Sequence, residues 1–267
     1  SFAFVGKPED SSIDEIERSA SDLGELGIES QLLVLNGYLP ESVCDDPFFE
    51  GKRADEQAVI ERAREEFDAD VTATYPLQPG EIAGLELLTD VGGVLYDGDE
   101  ATIDVGAATT AETDGAVDFN SMGDADAVVD QLTPGAETQY LFFTGKGGVG
   151  KSTVAATAAT KLAEAGHETL VVTTDPAAHL EDIFGEPVGH KPTAVGQANL
   201  DAARIDQEEA LAEYRAQVLD HVTEMYEDKA DTQIDVDAAI ANVEEELESP
   251  CAEEMAALEK FVSYFDE

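Results

Sequence analysis

Tryptophan is missing from this 267-residue chain, cysteine occurs twice and methionine three times. Basic residues are also few: 14 Lys and Arg stand against 60 Asp and Glu, for a formal net charge of −46. From Glu65 to Gly145 there is no Lys or Arg at all. A chain without a basic stripe has nothing to neutralise a phosphate backbone, which excludes nucleic acid as a partner. Two cysteines, Cys44 and Cys251, make no disulfide framework and suit a reducing cytoplasm. No apolar run approaches the roughly 20 residues that span a bilayer. The chain opens without methionine or a signal peptide. Its start, "SFAFVGKPED", reads as the middle of a strand and predicts an interior piece of a longer protein.

What is abundant is negative charge and core-forming material. Hydrophobic residues make up 43% of the chain, enough for one large domain or two ordinary ones. The acidity fits a salt-rich cytoplasm, where screening limits self-repulsion; a surface for a basic partner is the other reading.

"FAFV" (2–5) reads as a short buried strand. Ser12 and Glu15 have capping-box spacing, and Ile13, Ile16, Ala20 and Leu23 share one helical face. Gly27 stops that helix, "QLLVLN" (31–36) is a second strand, a helix covers about 54–67, and "VTATYP" (71–76) is a third strand. Such alternation predicts parallel pairing through right-handed crossovers. Three strands are too few for two helical layers, so residues 1–97 read as part of a sheet. Residues 98–136 read as an acidic flexible linker with a short helix near 123–132. From 137 to 267 a new sheet begins. "YLFFT" is its strand, "GKGGVGK" its turn, and Val154, Ala158, Leu162 and Ala165 line a helix ended by Gly166. "TLVVTT" (169–174) is the next parallel strand; Leu211, Tyr214, Val218, Val222 and Met225 mark a long amphipathic helix, and another helix opens near Pro250. The class is α/β: a parallel sheet with helices on both faces.

Gly145 to Ser152 matches G-x-x-x-x-G-K-[ST] at every fixed position, between a strand and a helix. Glycines let the backbone curl until successive N–H groups face phosphates, and the helix N-terminus adds positive potential. The residues assigned to nucleotide are therefore Gly145, Lys146, Gly147, Gly148, Val149, Gly150, Lys151, Ser152 and Thr153. Lys151 would reach the β- and γ-phosphates of ATP, and the Ser152 hydroxyl would ligate Mg²⁺. Asp175, at the end of the neighbouring strand, is placed to orient the attacking water or a Mg²⁺ ligand. Two of only eight lysines sit in this loop.

Lys146, directly after the first glycine, resembles the extra lysine of deviant Walker A ATPases, which crosses a dimer or pseudodimer interface to the opposite phosphates. "TTDPAAHLEDIFG" (173–185), "ARIDQEEALAEYR" (203–215) and "EELESPCAEEMAAL" (245–258) narrow the resemblance to the arsenical pump-driving (ArsA) family. "LLVLNGYLP" and "YPLQPGEIAGLELL" resemble the closing part of a half of that protein. The resemblance implies tandem ATPase halves forming a pseudodimer: 1–97 closes the first, 98–136 links, and 137–267 opens the second. It implies that Asn36 contacts adenine, that Pro76 to Gly84 is the adenine-side loop, and that Cys251 is an arsenite or antimonite ligand. Asn36 and Lys151 would then serve different nucleotide sites, and the chain alone would hydrolyse ATP negligibly. It also implies a membrane arsenite pump as partner, a cytoplasmic location at the inner face of the membrane, and a halophilic archaeal source. A tail-anchored-protein targeting ATPase of the same fold is the rival reading. A MinD- or ParA-like positioning ATPase is a third, disfavoured by the charge and by "DPAAH".

Overall fold

The computed structural model describes residues 2–28, 30–44, 46–67, 71–97, 138–174, 180–227 and 250–264, with Val243 and Leu247. The expected linker and its short helix lie outside the described residues. The chain divides into two compact units: one of Ser1–Val171, Glu181–Glu186 and Val195–Leu200, and one of Val172–Leu180, Pro187–Ala194 and Asp201–Glu267.

The first unit is built on a four-stranded parallel sheet in the order β3-β2-β1-β4. Its strands are β1 (Phe2–Gly6), β2 (Ser30–Tyr38), β3 (Val71–Pro76) and β4 (Phe142–Thr144). The fourth strand missing from the N-terminal segment is thus supplied from beyond residue 137: Ala3 pairs with Phe143, and the Phe2 and Phe142 rings stack at 5.1 Å. Side chains alternate across a strand. Ala3, Val5, Leu32 and Val34 therefore enter one cluster, and Phe4, Leu33 and Leu35 the other. A fully buried aliphatic chain is worth roughly 1.5–3 kcal/mol, so these two central strands anchor the unit.

Helices cover both faces. On one, α3 (Leu85–Gly92) and α4 (Lys151–Glu164) bury Val91, Val154, Ala158 and Leu162. On the other, α1 (Asp10–Glu25) and α2 (Pro47–Glu66) bury Ile13, Ile16, Val59, Ile60 and Ala63. The expected capping box does not form. Helix α1 starts earlier, at Asp10, and the Ser12 hydroxyl instead accepts the Lys7 N–H at 3.2 Å. Helix α2 also starts earlier than periodicity implied, because Asp46 caps it through the Phe48 N–H at 2.8 Å and Pro47 occupies its first turn.

The second unit contains the antiparallel pair β6 (Thr193–Ala194) and β7 (Leu200–Arg204), whose register joins Thr193 to Ala202. These two belong to a three-stranded sheet in the order β5-β7-β6, so β5 (Thr169–Thr173) does not continue the sheet of β4 as the sequence implied but lies beside β7; α5 (Leu180–Phe184) follows it in sequence. Helices α6 (Gln207–Glu227) and α7 (Pro250–Ser263) bury Ala210 and Ala256 together with Ile205. Lys260 binds Glu213 at 3.0 Å, holding the Glu213 carboxyl below the usual carboxylate range, and Tyr264 donates to the His190 carbonyl at 2.7 Å. Among the described residues, no helix is long and apolar enough to cross a membrane.

Candidate functional site

All four strands of the first sheet run parallel, so their C-terminal ends open on one edge, where ligands of open α/β sheets bind. The ends there are Thr144 of β4, Gly6 of β1, Asn36 near the end of β2 and Pro76 of β3. The loop Gly145 to Gly150 leaves β4 and enters α4 at Lys151. Lys146, Gly147 and Gly148 are exposed, whereas the Val149 side chain is buried in the core and pins the loop from below.

Two glycines are obligatory for physical reasons. Gly145 has φ 143°, and a Cβ there would overlap the Val5 carbonyl oxygen on β1. Gly150, the residue before α4, has φ 94°, and a Cβ there would collide with the Asn36 amide nitrogen. By contrast, a Cβ on Gly147 or Gly148 would meet nothing within 4 Å, so these positions leave the outer side of the loop open. Gly145→Ala is expected to cost about 2–4 kcal/mol, from overpacking against fixed backbone and an unfavourable φ. Chemical denaturation of the variant checks this; an unchanged midpoint would show that β1 and β4 are not held as described.

Lys151 Nζ folds back to donate to the Lys146 carbonyl at 3.1 Å, so the terminal cation sits over the loop at the N-terminus of α4. Ser152 and Thr153 follow in the first turn. Asn36 reaches across from β2 and donates through Nδ2 to the Val149 carbonyl at 3.0 Å. Opposite Asn36 in the strand register is Tyr75, whose hydroxyl pKa is pushed up to about 12 by burial, with a Gln78 hydrogen bond acting the other way.

The structure thus gathers every assigned loop residue and Asn36 at one place. The family resemblance implies separate sites for Asn36 and Lys151, one per half; in the structure Asn36 supports the loop that carries Lys151. The contact was not legible, because nothing in the sequence says that β1 pairs with β4. Asp175 lies outside the described residues. Cys251 lies in the first turn of α7, in the second unit. Cys44 is hydrogen-bonded to the Pro40 carbonyl at 3.2 Å, and burial raises its thiol pKa, the opposite of what a thiolate ligand requires. Among the described residues, no group of three or more His, Cys, Asp or Glu could hold a metal ion.

A strand, a glycine-curled loop with its lysine over it, and a helix N-terminus together offer backbone donors and one cation to an anion. The family described as anion-transporting ATPase matches residues 1–97 and 138–267. The chain is 79% identical over 268 residues to a protein of Halobacterium salinarum provisionally named an arsenical pump-driving ATPase, covering 100% of this chain and 42% of the relative. That similarity supports the halophilic archaeal source, and a salt-rich cytoplasm is what the acidity fits. It is 30% identical over 262 residues to the arsenical pump-driving ATPase of Acidiphilium multivorum, covering 97% of this chain and 40% of the relative. A shorter match, 44% over 69 residues, covers 26% of this chain and 21% of an ATPase ASNA1 homologue of Paramecium tetraurelia. The chain thus spans about two fifths of the length of the first two relatives. With the family match running through both the phosphate-type loop and the strands that support it, the chain belongs to the anion-transporting ATPase family.

Proposed function

We propose that this chain carries the ATP-binding loop of an ATPase that energises arsenite or antimonite export through a membrane pump protein. The observation that carries the reading is the Gly145–Ser152 loop, with Lys151 over it at the head of α4 and Asn36 at its flank. The backbone N–H groups of the loop would hold the α- and β-phosphates, and Lys151 would hold the β- and γ-phosphates. The residues fit Mg²⁺ as well, because Ser152 presents a hard oxygen donor in the first turn beyond the lysine. Mg²⁺, when bound, would neutralise charge on the phosphate oxygens. Lys146 would reach the phosphates of an opposed site, Asp175 would orient the attacking water, and Asn36 and the Pro76–Gly84 loop would serve the adenine side.

Residues 1–97 and 137–267 are proposed to be the closing and opening parts of two tandem halves, which in this chain share one sheet through the pairing of β1 with β4; relatives more than twice as long support this division. The remainder of those halves would complete the pseudodimer, in the cytoplasm at the inner face of the membrane. Cys251 would contribute one soft donor to the metalloid, which prefers thiolates. In the full-length protein, Cys251→Ser is expected to raise the arsenite concentration needed to stimulate ATP hydrolysis by about tenfold or more, with basal turnover nearly unchanged. A steady-state hydrolysis assay over an arsenite series checks it. Unchanged stimulation would remove the chemical support for a metalloid substrate. The tail-anchored targeting reading, which the match to a differently named ATPase supports, would then lead.

A further inference from the structure

Asn36 does more at this loop than a base contact requires. Its carboxamide has two N–H donors and one carbonyl acceptor. One donor is committed to the Val149 carbonyl at 3.0 Å, across 113 residues of sequence. The peptides of the described chain are all trans. In a planar trans peptide the C=O and the following N–H point in opposite directions. Turning the Val149 carbonyl toward β2 therefore turns the Gly150 N–H away from β2. That N–H belongs to the loop whose backbone donors face phosphate in the reading above.

The approach is also close enough to be specific. A Cβ at Gly150 would collide with Asn36 Nδ2, so the glycine and the asparagine are fitted to one another. Asn36 itself is held by β2, between neighbours Leu35, which is fully buried, and Gly37 at φ 82°, where the strand register shifts. The peptide it grips has a buried side chain on one side, Val149, and the N-cap of α4 on the other. Asn36 is thus the polar brace that decides how this peptide is rotated between two fixed points.

We propose that Asn36 is a positioning residue for the phosphate loop: by holding the Val149 carbonyl it sets the Gly150 N–H for phosphate, so its loss weakens phosphate binding itself and not only binding of the base. This rests on the nucleotide reading of the loop, and the test separates the two. The 267-residue chain, in molar KCl with Mg²⁺, is titrated calorimetrically with ATP and with inorganic tripolyphosphate, which has phosphates and no base. Asn36→Ala is expected to weaken tripolyphosphate binding roughly 2- to 12-fold, the loss of one net hydrogen bond, and ATP binding by at least as much. Asn36→Leu, which keeps the volume and removes the donor, is expected to do the same and decides the matter if the alanine variant fails to fold. If the unaltered chain binds neither ligand, the nucleotide reading fails and this proposal with it. If the variants lose affinity for ATP alone, the nucleotide reading stands and Asn36 is a base contact only. If melting temperature falls while both affinities hold, the bond is structural and the proposal is overturned.

Discussion

Lys151→Ala is expected to reduce the affinity of the chain for MgATP by at least a hundredfold while leaving its folding transition nearly in place. The reasoning starts from charge. Two unit charges 4 Å apart interact by about 4 kcal/mol at the effective dielectric of a protein surface, and a hydrogen bond to a charged group is worth about 1.5–3 kcal/mol net. Even after a large discount for water and salt, some 3 kcal/mol remains, which is about a hundredfold. Folding has little at stake, because the Nζ group makes an exposed bond to the Lys146 carbonyl and no buried one. Lys151→Arg keeps the charge but replaces a compact ammonium with a wide planar fork, so partial recovery at most is expected. Equilibrium binding of a fluorescent ATP analogue, alongside circular dichroism, reads both quantities. Full affinity in the alanine variant would mean that the loop is a glycine turn without a ligand.

The loop was legible because its residue types are dictated by local backbone geometry. A strand, four glycines, a lysine and a hydroxyl at fixed spacing leave little freedom, and the structure realises them between β4 and α4. Strand interiors were legible for a related reason: the runs 2–5, 31–36 and 71–76 are short, rich in aliphatic, β-branched or aromatic residues and alternate with helical stretches, and they appear in β1, β2 and β3. Helix starts were less so. Ser12 carries the spacing of a cap but spends its hydroxyl on the Lys7 N–H, since the Glu9 carbonyl already begins the helix one turn earlier. Helix α3 and strands β6 and β7 escaped periodicity altogether. The first is eight residues long, a two-residue strand such as β6 has no period to read, and the five residues of β7 show no clean alternation of burial. The pairing of β1 with β4 was invisible for a different reason. Hydrogen bonds between parallel strands are made by backbone, which every residue has, so the partner of β1 is specified only by the packed faces of the completed sheet. Asn36 shows the consequence, since an amide can be recognised as a functional candidate in sequence without revealing which carbonyl it grips.

Removing salt is expected to destabilise the chain strongly, by about 3–5 kcal/mol between 2 M and 0.1 M KCl, or ~10 °C or more in melting temperature. The screening length grows from about 2–3 Å to about 10 Å over that range, so carboxylates that ignore one another in brine begin to interact across the whole surface. With a formal net charge of −46, nearly all of those interactions are repulsive. The attractive pairs also strengthen in low salt and oppose the trend, so the sign has to be decided. Arg62 is the best of them, bound to Asp10 at 2.8 Å, Asp14 at 2.6 Å, Glu17 at 3.5 Å and Glu66 at 2.9 Å. One guanidinium facing four carboxylates remains a net negative patch, and exposed pairs contribute only about 0–1 kcal/mol each. Repulsion therefore wins. Thermal melts in KCl, repeated at 0.1 M KCl with sucrose added, separate the causes: sucrose strengthens burial without screening charge. Rescue by KCl alone supports the electrostatic account. Equal rescue by sucrose would place the salt dependence in the hydrophobic core, and a melting temperature that rises as salt is withdrawn would show that the Arg62 cluster outweighs the surrounding repulsion.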